Sequence, residues 1–213
     1  MASIWESVAF DHEKFKVELN DFRRLLQDHS ELSERDIVQP FFKARKHLTA
    51  YIGTLILNIS VATEVCYEFD LASDFRADII LGSKAAGQFC VVEFEPGTHG
   101  AIFKKQPKRK NPEWSSRFEH AFSQIVDWFY CLEDQKNTAQ FRNAFGSSEV
   151  SFASLIVMGR LKSLTEAAKN RLTWRTKKVL IDSNRVTCIT FDELYDMLSD
   201  KYKLYNSAAK IEP

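Results

Sequence analysis

Apolar residues recur at helical spacing from the start of the chain. Phe15, Leu19, Phe22, Leu25 and Leu26 fall on one helical face, which predicts a helix from Phe10 to Asp28. Ser33, followed by Glu34, Arg35 and Asp36, sets a capping residue ahead of acidic first-turn groups and predicts a second helix. Pro40 interrupts or restarts that helix, and Phe41, Phe42 and Leu48 to Ile52 carry its apolar face on to Gly53. The pattern then changes to runs of β-branched and aromatic residues. Val65–Phe69, Phe75–Leu81 and Phe89–Glu95 read as strands, the last stopped by Pro96-Gly97. The short Gly82–Gly87 connection predicts a hairpin between the second and third.

Pro96 to Pro112 is rich in Gly, Pro and Lys and reads as a loop. Ser115 or Ser116 caps a long helix to about Leu132, with Phe118, Ala121, Phe122, Ile125, Phe129 and Leu132 as its apolar stripe. Phe152–Met158 is a further strand. Ser163-Leu164-Thr165-Glu166 has the capping-box pattern and opens a helix through Trp174. Val186–Thr190 and Phe191–Tyr202 read as a last strand and a last helix, with a frayed tail from Asn206. Helices followed by strands alternating with helices predict an α/β fold, a central mixed β-sheet flanked by helices. The expected division is a short N-terminal helical segment over 1–58, one domain over 59–205 and a tail over 206–213.

Composition narrows the class without naming a chemistry. Hydrophobic residues are 45% and charged residues 27% of the 213, which is globular composition and excludes wholesale disorder. Seventeen Phe and four Trp predict an aromatic-rich core, with Trp5, Phe41 and Phe42 either part of it or an exposed patch for a partner. The formal net charge is zero, so partners depend on where the charges lie. They are segregated: Glu64, Glu68, Asp70, Asp74 and Asp78 form an acidic stretch, and Lys104, Lys105, Lys108, Arg109 and Lys110 a basic one. Cys66, Cys90, Cys131 and Cys188 have apolar neighbours and no C-x-x-C spacing, so they read as buried free thiols of a cytoplasmic protein. No apolar run approaches the ~20 residues of a membrane span, and the N-terminus lacks the pattern of a signal peptide. A Gly-rich phosphate loop, a G-x-S-x-G elbow and a zinc-spaced His pair are all missing.

The carboxylates are the candidate chemistry. Glu93 and Glu95 point to one face of their strand, about 7 Å apart. Asp78 sits on the preceding strand between Ala77 and Ile79. Acids in so apolar a setting need compensation, and a hard divalent cation such as Mg²⁺ or Mn²⁺ supplies it through carboxylates and waters. The plainer alternative is that they lie at exposed strand ends paired with Arg76 and lysines. The following helix turns Arg117, His120, Gln124 and Asp127 away from its apolar stripe, either toward those acids or toward water.

These residues resemble a known family. Asp78 followed by Glu93-Phe94-Glu95 resembles the D…E-x-K core of the PD-(D/E)XK nucleases, and Gln124 with Trp128 resembles the Q-x-x-x-Y element of the next helix. Ala77–Leu81, Val91–Pro96, Trp114–Trp128, Leu155–Arg160 and Ile189–Leu194, in that order, look like the nuclease domain of the Shedu anti-phage defence proteins over roughly residues 60 to 200. The resemblance implies a restriction-endonuclease-like core, metal-dependent cleavage of phage or other foreign DNA in bacterial defence, and a homo-oligomer. It implies Asp78, Glu93, Glu95 and Gln124 as catalytic residues. Asp78, Glu93 and the Phe94 carbonyl become the ligands of Mg²⁺ or Mn²⁺, and Lys104, Lys105, Arg117 and His120 contact the nucleic acid. The helices before Gly53 would stand where such proteins carry a sensing part. One position departs: the motif lysine is Glu95 here. Three accounts are open. A cation from elsewhere (Lys104, Lys105, Arg117 or His120) takes its place, Glu95 is an extra metal ligand or base for water, or the site is a catalytically degenerate one that binds nucleic acid or a partner.

Overall fold

The computed structural model describes residues 4–56, 60–72, 75–107, 111–181 and 183–208. Within it, β1 (Trp5–Ser7), β2 (Glu64–Ala72), β3 (Phe75–Ser83), β4 (Gln88–Phe94), β7 (Ser151–Val157), β9 (Asn184–Ile189) and β8 (Leu180–Ile181) form one sheet in that spatial order, with β5 and β6 set apart. β1 to β4 are antiparallel neighbours, β4, β7 and β9 are parallel, and β8 returns antiparallel on β9. The predicted mixed sheet is therefore present. Its parallel half needs helical crossovers, which α4 (Ser116–Gln135), α5 (Ala139–Phe145) and α6 (Glu166–Lys178) supply.

Helices cover both faces. On one, α1 (His12–Asp28), α2 (Gln39–Lys43), α3 (Lys46–Ile52) and α7 (Phe191–Ala208) bury Phe15, Phe22, Phe42, Leu48 and Leu194 against Leu81, Val92 and Phe94. On the other, α4 to α6 bury Phe118, Ile125, Trp128 and Leu172 against Phe89, Val91 and Ile156. Strand alternation thus sends Cys90, Val92 and Phe94 toward the first face, and Phe89 and Val91 toward α4. The core is rich in aromatics. Phe42 is fully buried and stacks on Phe94 at 4.5 Å, and half-buried Trp5 packs against the core 5.7–5.9 Å from Phe69, Phe89 and Phe145. All four cysteines are free and buried.

Caps explain several boundaries. The Asp11 carboxylate accepts from the backbone of Glu13 and Lys14 and starts α1. The Ser33 hydroxyl accepts from Asp36 N–H and opens a π-helical turn, Glu34–Val38, that runs into α2 with Pro40 in its first turn. Ser115 caps α4.

Some expectations are corrected. α6 is capped by Thr165, not by Ser163, because Leu161–Ser163 is taken up by a 3₁₀ turn. The helix also runs four residues beyond Trp174, to Lys178. α7 continues to Ala208 where fraying from Asn206 was expected. The 96–112 loop contains β5 (Phe103–Lys104), which pairs with β6 (Glu113–Trp114) just after the loop, while Lys108, Arg109 and Lys110, like Asp74, lie outside the described residues. β1, β8 and α5 have no counterpart in the sequence reading, since three, two and seven residues are too few to display a period. The segment before residue 59 is more than helical: β1 pairs with β2 in the main sheet.

Candidate functional site

The β3–β4 ladder runs from Ser83↔Gln88 to Ile79↔Val92 and ends there, while β4 stays paired with β7 through Phe94↔Val157. Asp78 and Glu93 are the next residues, just where the two strands stop sharing backbone hydrogen bonds. The freed Phe94 N–H donates to Asp78 Oδ2 at 2.8 Å, and Glu95 N–H donates to the Val157 carbonyl at 3.0 Å. On the other side of β3, Glu68 lies between the pairs Tyr67↔Ile79 and Phe69↔Ala77 and has φ +51, in the left-handed region that a glutamate rarely enters. Regular pairing is thus broken on both flanks of Asp78.

The N-terminal segment closes over this opening. Leu32 and Gly97 exchange two backbone hydrogen bonds at 3.2 and 2.9 Å, which ties the segment to the residue two after Glu95. A Cβ on Gly97 would lie 3.0 Å from Leu32 and from Phe191, so glycine is what permits the approach. From the π-helical turn and α2, Gln39 Nε2 donates to Asp78 Oδ1 at 2.8 Å and reaches Glu34 Oε1 at 3.5 Å. From α4, Arg117 Nη1 donates to Glu95 Oε2 at 3.0 Å and lies 3.7 Å from Glu34 Oε2.

Four carboxylates therefore converge: Glu34, Asp78, Glu93 and Glu95. Glu93 and Glu95 are 6% and 3% exposed. Burial pushes Asp78 up to about 7, and the charges of Glu34 and Glu95 add to that, against the Phe94 N–H and the Gln39 amide. Burial, then the neighbouring Asp78, Glu95 and Glu34, hold Glu93 well above the carboxylate range. Burial also raises Glu95, with Arg117 pulling the other way. With all four ionised, the cluster would carry more negative charge than Arg117 neutralises.

An all-oxygen, anionic donor set is what Mg²⁺ or Mn²⁺ takes, and not what zinc or copper favours. The chemistry of the residues fits such a cation. Among the described residues, no three His, Cys, Asp or Glu side chains already stand around one metal position, so binding would draw the carboxylates together.

The sequence matches the family described as Shedu protein SduA, C-terminal, over residues 31–195. The chain belongs to that Shedu family. No curated protein matched it. The match includes Glu34 and Gln39 together with Asp78, Glu93 and Glu95. The π-helical turn and α2 thus belong to the Shedu domain itself.

The other residues singled out from the sequence are placed unevenly around this Shedu-domain cluster. Arg117 is in it. His120 is exposed, and its influence on Glu95 is smaller than that of Arg117. Lys104 and Lys105 are exposed on and beside β5, with no ion pair to the cluster among the described residues. Gln124 is half-buried on α4; its Oε1 is buried without a partner, and among the described residues no hydrogen bond joins it to the acids. Trp128 is 1% exposed, so the helix face beyond Gln124 is core. Glu34 and Gln39 went unread in the sequence, where Glu34 looks like an ordinary first-turn acid. Their only signal was the Ser33 cap, which fixes the turn but not what it faces. A cavity of about 430 Å³ between Phe69, Leu132 and Phe145 touches none of Glu34, Asp78, Glu93 and Glu95.

Among the described residues, no helix is long and apolar enough to cross a membrane. The Shedu family connects the chain to anti-phage defence.

Proposed function

We propose that this Shedu-family chain is a metal-dependent DNA endonuclease of the PD-(D/E)XK type, acting in the bacterial cytoplasm against phage or other foreign DNA and assembling as a homo-oligomer. The observation that carries the reading is the convergence of Asp78, Glu93, Glu95 and Glu34 from three parts of the chain, with the protons of the first three held more tightly than in water.

Asp78 and Glu93 would hold Mg²⁺ or Mn²⁺, with the Phe94 carbonyl beside them. Such a cation lowers the pKa of a bound water and draws charge from a phosphoryl oxygen. Glu95, oriented by Arg117, accepts a proton from the attacking water. Arg117 is half-exposed and can turn its remaining N–H groups to a phosphate, which places a cation where the family motif has lysine. Lys104, Lys105 and His120 contact phosphates farther along the strand, giving sequence-independent affinity. Gln124 offers its unpartnered amide oxygen to the hydrogen of a bound water, and its amide N–H groups to the ionised acids once a cation has drawn them in.

The test is Glu93→Gln in a plasmid-cleavage assay with Mn²⁺ and Mg²⁺, beside calorimetric metal titration of wild type and of Asp78→Ala/Glu93→Ala. Cleavage and metal binding both vanish in the variants, with circular dichroism unchanged. Cutting by Glu93→Gln at the wild-type rate overturns the mechanism.

A second reading rests on the loss of the motif lysine to Glu95 and on carboxylates not yet gathered around one position. In it the site is catalytically degenerate, and the protein binds nucleic acid or a partner as a sensor or regulatory subunit. It predicts DNA binding without metal-dependent turnover by the wild type.

A further inference from the structure

A cavity of about 230 Å³ opens beside Asp78 on the side away from α4. Three of its walls come from one helical face. Arg35, Gln39 and Lys43 follow one another at four-residue intervals as the π-helical turn passes into α2. The outer two are thus about 12 Å apart along the axis. The middle one is the amide that holds Asp78. The outer two are exposed cations. Arg35 makes no ion pair among the described residues. Lys43 faces Glu68 at 3.8 Å, with both side chains 59% exposed, a pairing that contributes little in water and yields readily to a phosphate. Of the remaining walls, Pro40, Tyr67, Ile79 and Phe94 are largely apolar, and Glu68 stands with Asp78 as the acidic part of the lining.

A charged group on either side of the catalytic aspartate, next to an apolar hollow, matches a ligand that repeats anion and apolar unit along its length. We infer that Arg35 and Lys43 form a phosphate-binding track for the nucleic-acid strand being cut, and that the cavity between them seats the nucleoside next to the scissile bond. The inference rests on the nuclease reading above. It makes the helices ahead of β2 a part of the substrate site and not a separate sensing element. The two cations also offset the repulsion that the acidic cluster exerts on an incoming phosphate.

The experiment is fluorescence anisotropy with a labelled single-stranded oligonucleotide and its duplex, titrated over a range of salt. The parent is the non-cleaving Glu93→Gln protein. Arg35→Ala/Lys43→Ala on that parent binds roughly tenfold or more weakly, and the slope of log affinity against log salt falls by roughly 2. Arg35→Lys/Lys43→Arg keeps most of both. A structural role would lower affinity without moving the salt slope. Binding by the parent that is matched in affinity and slope by the double-alanine variant overturns the track and leaves the nuclease reading standing. A parent that binds neither oligonucleotide overturns both.

Discussion

Arg117 Nη1 lies 3.0 Å from Oε2 of Glu95, the residue that directly follows β4. The carboxylate is 4% exposed and the arginine 52%. The acid is fixed by the sheet, and the cation reaches it from the first turn of the following helix. Removing the cation strands a buried charge. Arg117→Met is expected to lower stability by roughly 1–3 kcal/mol at pH 8, the cost of one unpaired buried polar group. The loss shrinks as the pH falls toward 5, because burial raises Glu95 and favours its protonated form. Denaturant unfolding at the two pH values measures the difference. Arg117→Lys keeps a charge and recovers part of the stability and of any cleavage.

Stability should also depend on pH in the direction opposite to ordinary acid denaturation. Asp78 has its pKa raised from 3.8 to about 7, and Glu93 is raised as well. A raised carboxylate stabilises the fold fully below its unfolded pKa, and that contribution is lost as pH climbs through the folded value. Without divalent cations, the melting temperature is therefore expected to fall between pH 5 and 8. Mg²⁺ or Mn²⁺ restores it, most strongly at pH 8, since a cation binds the ionised form. Glu119, lowered by its hydrogen bond to Arg175, acts the other way, but only at more acid pH. A melting temperature flat from pH 5 to 8 in Asp78→Asn/Glu93→Gln, beside a falling one in wild type, assigns the effect to the cluster; a flat wild-type curve refutes it.

Glu34 adds negative charge to a cluster already burdened with it. Glu34→Gln removes one like charge from beside Asp78, Glu93 and Glu95. The expected result is higher stability at pH 8 without metal, together with weaker Mg²⁺ binding, as the donor set loses charge. Thermal melts and calorimetry read the two effects separately. A variant that binds the cation as tightly as wild type would place Glu34 outside the metal's reach.

Arg160 joins three distant parts of the chain. Its guanidinium, 4% exposed, pairs with Asp192 at the start of α7 and donates to the carbonyls of Leu26 and His29 at the end of α1. It supplies the cation that α1 lacks in its last turn. Arg160→Ala takes that donor from two helix-end carbonyls and leaves the partly buried Asp192 carboxylate with the Leu161 N–H but no cation, at a cost of roughly 3–5 kcal/mol. Because the same stretch leads through Leu32 to Glu34, any cleavage activity should fall with stability. Urea unfolding with a shifted midpoint and unchanged slope would show it.

The elements that could be read from the chain alone are those with enough residues to show a period. The stripe of α4, the apolar runs of β3 and β4 and the caps at Ser33 and Ser115 follow from local chemistry, and the structure contains them. Strand alternation was enough to place Glu93 and Glu95 on one face; the fold makes it the α4 face, where Arg117 meets Glu95. The Gly82–Gly87 hairpin sets a register in which Asp78 and Glu93 are the first residues past the end of the β3–β4 ladder. Long-range partners left no such mark. Gln39 reaches Asp78 across 39 positions, and a contact of that span depends on how the segment folds back over the sheet. The same holds for Arg160 and the carbonyl of Leu26, 134 positions apart. Local sequence therefore determined which side chains the strands present. Tertiary packing alone decided which of them stand together, because the break in the β3–β4 ladder becomes a site only when the Leu32–Gly97 bridge brings Glu34 and Gln39 over it.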